Sequence, residues 1–148
     1  MLRYWGNETA TAETIKQGRW LAMGDIGKII DGKLYINSRA RDMIIRSGEN
    51  IYPIEIEHRL ESHPFIHEAA VLGVDDDEKG QIAKAIIVLD DNGQFEVDTF
   101  LEWCSETLAS YKIPEIWEHR TSALPRTASG KVIKGALTGD REVSGFDD

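Results

Sequence analysis

The sequence has a single cysteine, no excess of basic residues and no long apolar run, and each absence excludes a class of protein. Cys104 alone cannot build a disulfide framework or a cysteine metal cluster, which makes a reducing compartment, the cytoplasm, the expected location. The 17 basic residues are outnumbered by 26 acidic ones and form no basic stripe, so no nucleic acid is expected as a partner. No apolar run approaches the roughly 18–20 residues of a membrane span.

A metal site is not expected either. The histidines include no pair with zinc-like spacing, and no carboxylate cluster accompanies them. They are interpreted as surface or packing residues: His58, His63, His67 and His119. Cys104 lies in an apolar helical pattern without a recognisable catalytic partner, which favours a packing role for it as well.

What is present is the composition of one ordinary globular domain, with 148 residues, 41% of them hydrophobic and 29% charged. Residues 1–24 are irregular and polar, which is more typical of a piece of a larger unit than of an independent domain. Asp31-Gly32 is a dipeptide favoured in tight hairpin turns and lies between two strand-like runs. It predicts a β-hairpin across residues 25–39.

Residues 42–140 predict a small α+β domain. The expected elements, in order, are a strand in 42–53, a helix from Pro53 through 54–63, paired strands at 65–76 and 80–91, a helix at 96–109, a strand within 111–120 and a short helix at 131–139. In the first helix, Glu55, Glu57 and Glu61 suit a solvated face. Gly139 is expected to end the last helix.

Four motifs follow one another along these segments. They are "YWGNETATAETIKQGRWLAMGD" at 4–25, "SRARD" at 38–42, "SGENIYPIEIE" at 47–57 and "LPRTASGK" at 124–131. Through them, nearly the whole chain resembles the C-terminal part of adenylate-forming enzymes. This superfamily comprises acyl-CoA synthetases, luciferases and peptide-synthetase adenylation domains.

The resemblance implies a domain organisation. Residues 1–40 would end the large AMP-binding domain, residues 41–140 would form the mobile C-terminal lid, and residues 141–148 would be a tail. The implied fold is α+β, a lid with a short central sheet flanked by helices, preceded by a β-hairpin from the large N-terminal domain. That large domain is then expected as a partner in cis.

The resemblance also implies a reaction in two steps. A carboxylic acid and ATP with Mg²⁺ form an acyl-adenylate, and a thiol then displaces AMP. The segment "ENIYP" is more similar to acyl-CoA ligases than to peptide-synthetase domains, which favours free CoA as the thiol. The expected substrates are ATP, CoA and a fatty or other organic acid, with no cofactor tightly bound by this chain.

Three residues match positions of the family that handle the nucleotide and the reaction. Lys131 is implied as the catalytic lysine, whose ammonium offsets the repulsion between a carboxylate and the α-phosphate. Asp25 is implied to bind the ribose hydroxyls and Arg39 to reach the nucleotide, tasks that suit a carboxylate and a guanidinium fork. The chain has Met23 where the family usually has threonine, so the phosphate contact of that hydroxyl is either missing or supplied by another residue.

The remaining matches concern the hinge and CoA. Arg41 falls at the hinge between the two domains. The loop Ser47, Gly48 and Glu49 is implied to line the tunnel for the pantetheine arm, since glycine lets the backbone approach a ligand closely. Lys79 and Lys112 are candidates for the CoA phosphates. For each of these residues, an ordinary solvated or turn residue is the alternative interpretation.

One part of the superfamily pattern is absent. The phosphate-binding loop, rich in serine, threonine and glycine and followed by lysine, does not occur in the sequence. We therefore expect the chain by itself to be inactive and interpret it as the C-terminal portion of a longer acid–CoA ligase. The alternative is a free-standing lid-like binding or regulatory module without catalysis, which would leave the matches at Asp25, Arg39 and Lys131 unexplained.

Overall fold

The computed structural model describes residues 2–138, and its contacts divide the chain into two compact units at the bond between Arg41 and Asp42. The helices and strands in chain order are α1 (Glu8–Thr14), β1 (Asp25–Ile30), β2 (Lys33–Arg39), β3 (Ile44–Arg46), β4 (Glu49–Ile51), α2 (Pro53–Glu61), β5 (Ile66–Asp76), β6 (Gly80–Leu89), α3 (Val97–Ser105) and β7 (Ile116–Arg120). Short 3-10 turns lie at Gln17–Arg19, Ala40–Asp42, Ser110–Lys112 and Lys134–Ala136. None of the described helices is long and apolar enough to cross a membrane.

The first unit contains α1 and the β1–β2 hairpin. The hairpin is confirmed, with Asp31 and Gly32 as a two-residue turn in which φ is 50° and 75°. The expectation that residues 1–24 are irregular is wrong for α1. Asn7 starts this helix, because its side chain accepts a hydrogen bond of 2.9 Å from the N–H of Ala10.

The second unit is α+β, as predicted, and is built around β6. β5 pairs antiparallel with β6 along the whole of that strand, which confirms the two paired strands. The other edge of β6 is shared, since β3 pairs with Gly80 and β7 pairs in parallel with residues 84–88. β4 extends the sheet beyond β3.

This sheet buries side chains on both of its faces. Side chains alternate along a strand, so Ala69 and Val71 of β5 join one core cluster with residues of α2 and α3. Ala70 and Leu72 join a second cluster, which residues from the segment 124–137 complete. The helices therefore cover one face of the sheet and the C-terminal segment covers the other.

Two predictions about the second unit are wrong, and both concern this covering segment. The helix expected at 131–139 is only the 3-10 turn Lys134–Ala136, and Gly139 lies outside the described residues. The reason is that residues 131–138 follow the surface of the sheet, because Val132 and Leu137 pack against its apolar side chains. Glu57 does not lie on a solvated face, because its carboxylate binds both the N–H of Val71, at 2.8 Å, and the ammonium of Lys134, at 2.6 Å.

The helix predicted at 96–109 exists but is shorter, ending at Ser105. The predicted apolar face of this helix is confirmed, because Phe100 and Cys104 are buried. Leu108, beyond the last turn, is buried as well. The helix predicted from Pro53 is confirmed as α2, which has this proline in its first turn.

Candidate functional site

The predicted nucleotide-binding residues of the first unit lie opposite each other at the open end of the hairpin. Asp25 begins β1 and Arg39 ends β2, and the two are direct partners in the strand register. Arg39 Nε lies 3.0 Å from Asp25 Oδ1 in an ion pair, with 48% and 24% of the two side chains exposed. The hairpin therefore brings together two residues that are 14 positions apart in the sequence.

This pair presents complementary chemistry to a ligand. The Nε of Arg39 faces Asp25, and among residues 2–138 no side-chain hydrogen bond is formed by its guanidinium. Its two Nη groups can donate to phosphate or ribose oxygens, while Asp25 can accept from hydroxyls. An ion pair this exposed contributes at most about 1 kcal/mol to stability, so its rearrangement around a ligand costs little.

Met23 lies two residues before Asp25 in the sequence, and Arg41 lies two residues after Arg39. Arg41 lies in the 3-10 turn Ala40–Asp42 and is the last residue of the first unit. Met23 is exposed, and its thioether offers no hydroxyl to a phosphate. The role of Arg41 as a hinge stays a prediction.

The loop predicted to approach CoA is a tight hairpin turn between β3 and β4. Ser47 and Gly48 both have positive φ, 49° and 88°, a conformation that glycine adopts freely and serine rarely does. The N–H of Ser47 donates to the carbonyl of Lys79 at 2.7 Å, which ties this turn to the β5–β6 turn. Glu49 is exposed and pairs with Arg46 in the strand register.

Lys79 is engaged by a carboxylate. Its ammonium binds Glu115, whose other carboxylate oxygen accepts from Arg46 Nε at 2.9 Å. The hydrogen bond from Lys79, followed by that from Arg46, lowers the pKa of Glu115 and outweighs the opposing effect of burial. Two cations therefore share one carboxylate beside the Ser47-Gly48 turn.

Lys112 is engaged separately. Its ammonium lies 2.8 Å from both carboxylate oxygens of Glu55 in α2, and 18% of the lysine side chain is exposed. The two lysines predicted to bind CoA thus have different partners, Glu115 and Glu55. The sequence predicted neither pairing, and Glu55 was expected only as part of a solvated helix face.

Lys131 lies at the end of a small loop closed by its own backbone. The N–H of Thr127 donates to the carbonyl of Lys131 at 2.8 Å, and the N–H of Lys131 donates to Thr127 Oγ1 at 3.1 Å. Gly130 has φ of 84° and donates its N–H to the carbonyl of Thr127 at 2.8 Å. Lys131 is exposed, and among residues 2–138 its ammonium has no ion-pair partner.

Residues that the sequence reasoning missed attach this loop to the sheet. Glu68 of β5 binds Arg126 at the loop's start, and Glu57 with Lys134 secures the segment after it. Glu68 has one signal in the sequence, a lone acidic residue inside the apolar run "FIHEAAVL". Such a residue in a buried strand requires a cationic or hydrogen-bonding partner.

The histidines are surface or packing residues, as predicted: His58 and His67 are exposed, whereas His63 and Cys104 are packed in the core. His63 is buried and makes edge contacts with the rings of Phe65, Phe100 and Trp103. Burial raises the pKa of the Cys104 thiol to about 11, so the thiol is not a nucleophile at neutral pH. Within the described part of the chain, no three of the His, Cys, Asp and Glu side chains are grouped to hold a metal ion.

Comparison with known proteins identifies the family. Residues 55–131 match the family described as AMP-binding enzyme C-terminal domain, and this match covers more than half of the 148 residues. The chain belongs to this family of AMP-binding enzyme C-terminal domains. The resemblance inferred from the four motifs is therefore confirmed.

Curated relatives are CoA ligases with different acids in their names. The chain is 42% identical over 138 residues to the feruloyl-CoA synthase of Amycolatopsis sp, covering 93% of this chain and 28% of that protein. It is 43% identical over 136 residues to the 2-succinylbenzoate–CoA ligase of Bacillus cereus, covering 90% and 27%. It is 43% identical over 135 residues to a long-chain-fatty-acid–CoA ligase of Mycobacterium tuberculosis, covering 90% and 26%. The chain thus spans only 26–28% of the length of these relatives.

Solved structures agree with this assignment. The o-succinylbenzoate CoA synthetase of Bacillus subtilis, in complex with its acyl-adenylate intermediate, has a TM-score of 0.82 and 38% identity, over 95% of this chain and 28% of that one. ATP-bound MatB from Rhodopseudomonas palustris has a TM-score of 0.84 and 30% identity, over 93% of this chain and 28% of that one. The fold is that of the C-terminal part of these adenylate-forming enzymes.

Proposed function

We propose that this chain is the C-terminal portion of an AMP-forming acid–CoA ligase. An oxygen of the acid attacks the α-phosphorus of ATP, the bond to the β-phosphate breaks, and pyrophosphate leaves with Mg²⁺. The sulfur of CoA then attacks the acyl carbonyl, AMP leaves, and the thiol proton is released. The family membership and the names of the relatives support this proposal, and the activity requires the remainder of a longer protein.

The observation that carries the proposal is the exposed ammonium of Lys131 on a loop whose backbone is fixed by hydrogen bonds. In adenylation two anions must meet, and a positioned cation stabilises the charge that develops between them. Lys131 does this by electrostatics and requires no covalent step. Asp25 and Arg39 hold the ribose and phosphate oxygens of the same nucleotide.

Residues 1–40 then belong to the large domain and residues 41–140 to the lid, with Arg41 as the hinge. The apolar side chains of the hairpin support this division, because Ile29, Leu34 and Ile36 are each at least 65% exposed. The large domain would cover them in the intact enzyme. Without that domain the chain lacks the acyl and adenine pockets and is inactive.

For the second step, we propose that the Ser47-Gly48-Glu49 turn lines the path of the pantetheine arm. Lys79 and Lys112 then meet the CoA phosphates by exchanging Glu115 and Glu55 for the ligand. Phosphate carries more negative charge than one carboxylate, so this exchange is electrostatically reasonable. A cytoplasmic location fits the single, buried cysteine.

The substrate is proposed to be a fatty or other organic acid, since the relatives' names include both aromatic and long-chain acids. The test is a panel of ferulate, 2-succinylbenzoate and palmitate with the full-length protein. Acid-dependent ATP–pyrophosphate exchange and CoA thioester formation are expected with at least one acid class. A coding region without an upstream large domain would instead favour the free-standing module.

The role of Lys131 is tested in the full-length protein with Lys131→Ala. Loss of one charge-stabilising group lowers the rate of adenylation by about 10²–10³-fold. Thioester formation from a preformed acyl-adenylate should largely survive. Lys84→Ala is the control, because Lys84 binds Glu118 in the sheet and lies outside the proposed site. Unchanged exchange in Lys131→Ala would refute the assignment.

A further inference from the structure

We propose that Glu68 and Arg126 form a brace that positions Lys131 for adenylation, an inference that rests on the proposed function of that lysine. The brace runs from the sheet to the lysine loop through one guanidinium group. Arg126 donates from Nε and Nη2 to Glu68 Oε1, at 3.0 and 2.8 Å, and from Nη1 to the carbonyl of Gly130 at 2.8 Å. Arg126 is thus a positioning residue that acts through the backbone next to Lys131.

The inner end of the brace is fixed by burial. Only 11% of the Glu68 side chain is exposed, and its second oxygen accepts a hydrogen bond of 2.7 Å from the N–H of Leu124. Burial favours the protonated carboxyl, but the hydrogen bonds from Leu124 and Arg126 outweigh it, so the pKa of Glu68 lies below its ordinary value. A buried carboxylate with three donors has one favourable arrangement, which determines where Arg126 lies.

The outer end of the brace orients a single peptide group. The carbonyl of Gly130 and the N–H of Lys131 belong to the same peptide unit, which is planar. Arg126 holds the carbonyl and Thr127 Oγ1 holds the N–H, at 2.8 and 3.1 Å. With both ends of this plane held, the direction in which the Lys131 side chain leaves the backbone is restricted. Gly130 alone, with φ of 84°, would leave this direction free.

A lysine at position 126 could not replace this function. An ammonium is a compact point charge, whereas the guanidinium group presents several donors in a rigid plane. Arg126→Lys therefore keeps the charge beside Glu68 but cannot hold both Glu68 and the Gly130 carbonyl in this geometry. The Arg126→Lys variant therefore tests the effect of positioning without removing the charge. Because 40% of the Arg126 side chain is exposed, we expect this variant to fold.

The experiment uses the full-length ligase with Arg126→Lys and, as a matched control, Arg120→Lys. Arg120 binds Glu118 in β7 with Nε at 2.9 Å and, among residues 2–138, forms no ion pair or side-chain hydrogen bond with the lysine loop. With ferulate, 2-succinylbenzoate and palmitate as acids, Arg126→Lys should lower the kcat of ATP–pyrophosphate exchange by about 10- to 100-fold, because small misplacements are costly. KM values and thioester formation from preformed adenylate should change less than about twofold, a split that general destabilisation would not produce.

A second readout needs no acid. Hydrogen exchange of the amides in residues 126–132 should accelerate in Arg126→Lys and not in Arg120→Lys, because the braced peptide group is released. If Arg126→Lys fails to fold, Thr127→Val removes the other contact of the same peptide group and should give the same selective loss. Unchanged amide exchange, unchanged adenylation, or equal loss of both half-reactions would overturn the brace.

Lys131→Ala, measured in parallel, distinguishes the two proposals. If Lys131→Ala retains exchange activity, the proposed function of Lys131 fails. If Lys131→Ala loses activity and Arg126→Lys does not, only the brace fails. In the double variant, Arg126→Lys should add no further loss to Lys131→Ala, since the brace acts through that lysine.

Discussion

The two units of this chain differ in where their apolar side chains lie. The second unit buries apolar residues on both faces of its sheet, and Ile44, Val71 and Ile87 are fully buried. In the first unit, Ile29, Leu34 and Ile36 are 74%, 67% and 65% exposed, and no residue in 2–41 whose exposure is described is buried. The second unit therefore carries its own core, whereas the first leaves its apolar side chains exposed.

The largest expected effect is therefore on independent folding. Residues 42–148 expressed alone should unfold in one cooperative thermal transition by circular dichroism, because their core is complete. Residues 1–41 alone should show no cooperative transition, since chains below about 40 residues rarely bury enough surface. A cooperative transition in residues 1–41, or none in residues 42–148, would show that the two units do not differ in this way.

Two substitutions to alanine, one in each unit of the intact chain, compare how much a buried and an exposed apolar side chain contribute to stability. Phe100→Ala should destabilise the second unit by roughly 3–5 kcal/mol, because it leaves a cavity between α3 and the sheet. Leu34→Ala in the hairpin should change the free energy of unfolding by no more than about 0.5 kcal/mol, since Leu34 is exposed. Urea denaturation measures both values, and similar losses at the two sites would contradict this distribution of apolar contacts.

The core of the second unit should also be sensitive to acid at His63. Burial, followed by repulsion from Arg59, lowers the pKa of His63, and its Nδ1 accepts a hydrogen bond of 3.2 Å from the N–H of Phe65. The unfolded chain then binds a proton below its ordinary pKa of about 6.5 while the folded chain does not. The stability contributed by neutral His63 is fully present above pH about 6.5. It is lost as the pH falls through the lower pKa that His63 has in the folded chain.

The measurement is urea denaturation at pH 7.5 and pH 5.0. The loss of stability between these conditions should be smaller in His63→Phe than in the wild type, because the proton-linked contribution is removed. His58→Gln should keep the wild-type loss, since His58 is exposed. An identical pH dependence in His63→Phe and the wild type would contradict the role of His63.

The smallest expected effect on stability is at the surface of the second unit. Lys112→Met breaks the partly exposed pair with Glu55 and should cost less than about 1 kcal/mol. In the full-length protein, the KM for CoA should rise while ATP–pyrophosphate exchange stays unchanged, if Lys112 meets a CoA phosphate. A large loss of stability, or equal loss of both half-reactions, would show that Lys112 has a structural role instead.

The sequence predicted the local elements of the fold well. Asp31-Gly32 predicted a hairpin turn and Pro53 the start of a helix, because such residues restrict their own backbone. The strand pair from 65 to 91 followed from two apolar runs on either side of an acidic turn. The sequence did not predict that β7 pairs in parallel with β6, because this contact joins residues more than 30 positions apart.

For the candidate site, the sequence likewise identified single residues, whereas the contacts between them required the structure. Motifs identified Asp25, Arg39 and Lys131, and the hairpin register then brought Asp25 and Arg39 into contact. Their roles stay predictions. Glu68 and Arg126 are 58 positions apart in the sequence, and only their contact across the fold relates them to the lysine loop.

Local residue patterns were enough to identify the family, the chemical groups and most of the elements of the second unit, because each of these depends on residues that are close in the sequence. Which of those groups have a charged partner depends on the folded structure. Lys79, Lys112 and Lys134 bind carboxylates contributed by other elements, whereas the ammonium of Lys131 has no ion-pair partner among the described residues. The physical reason is that an ion pair forms between side chains that the fold brings within a few ångströms, whatever their distance along the chain.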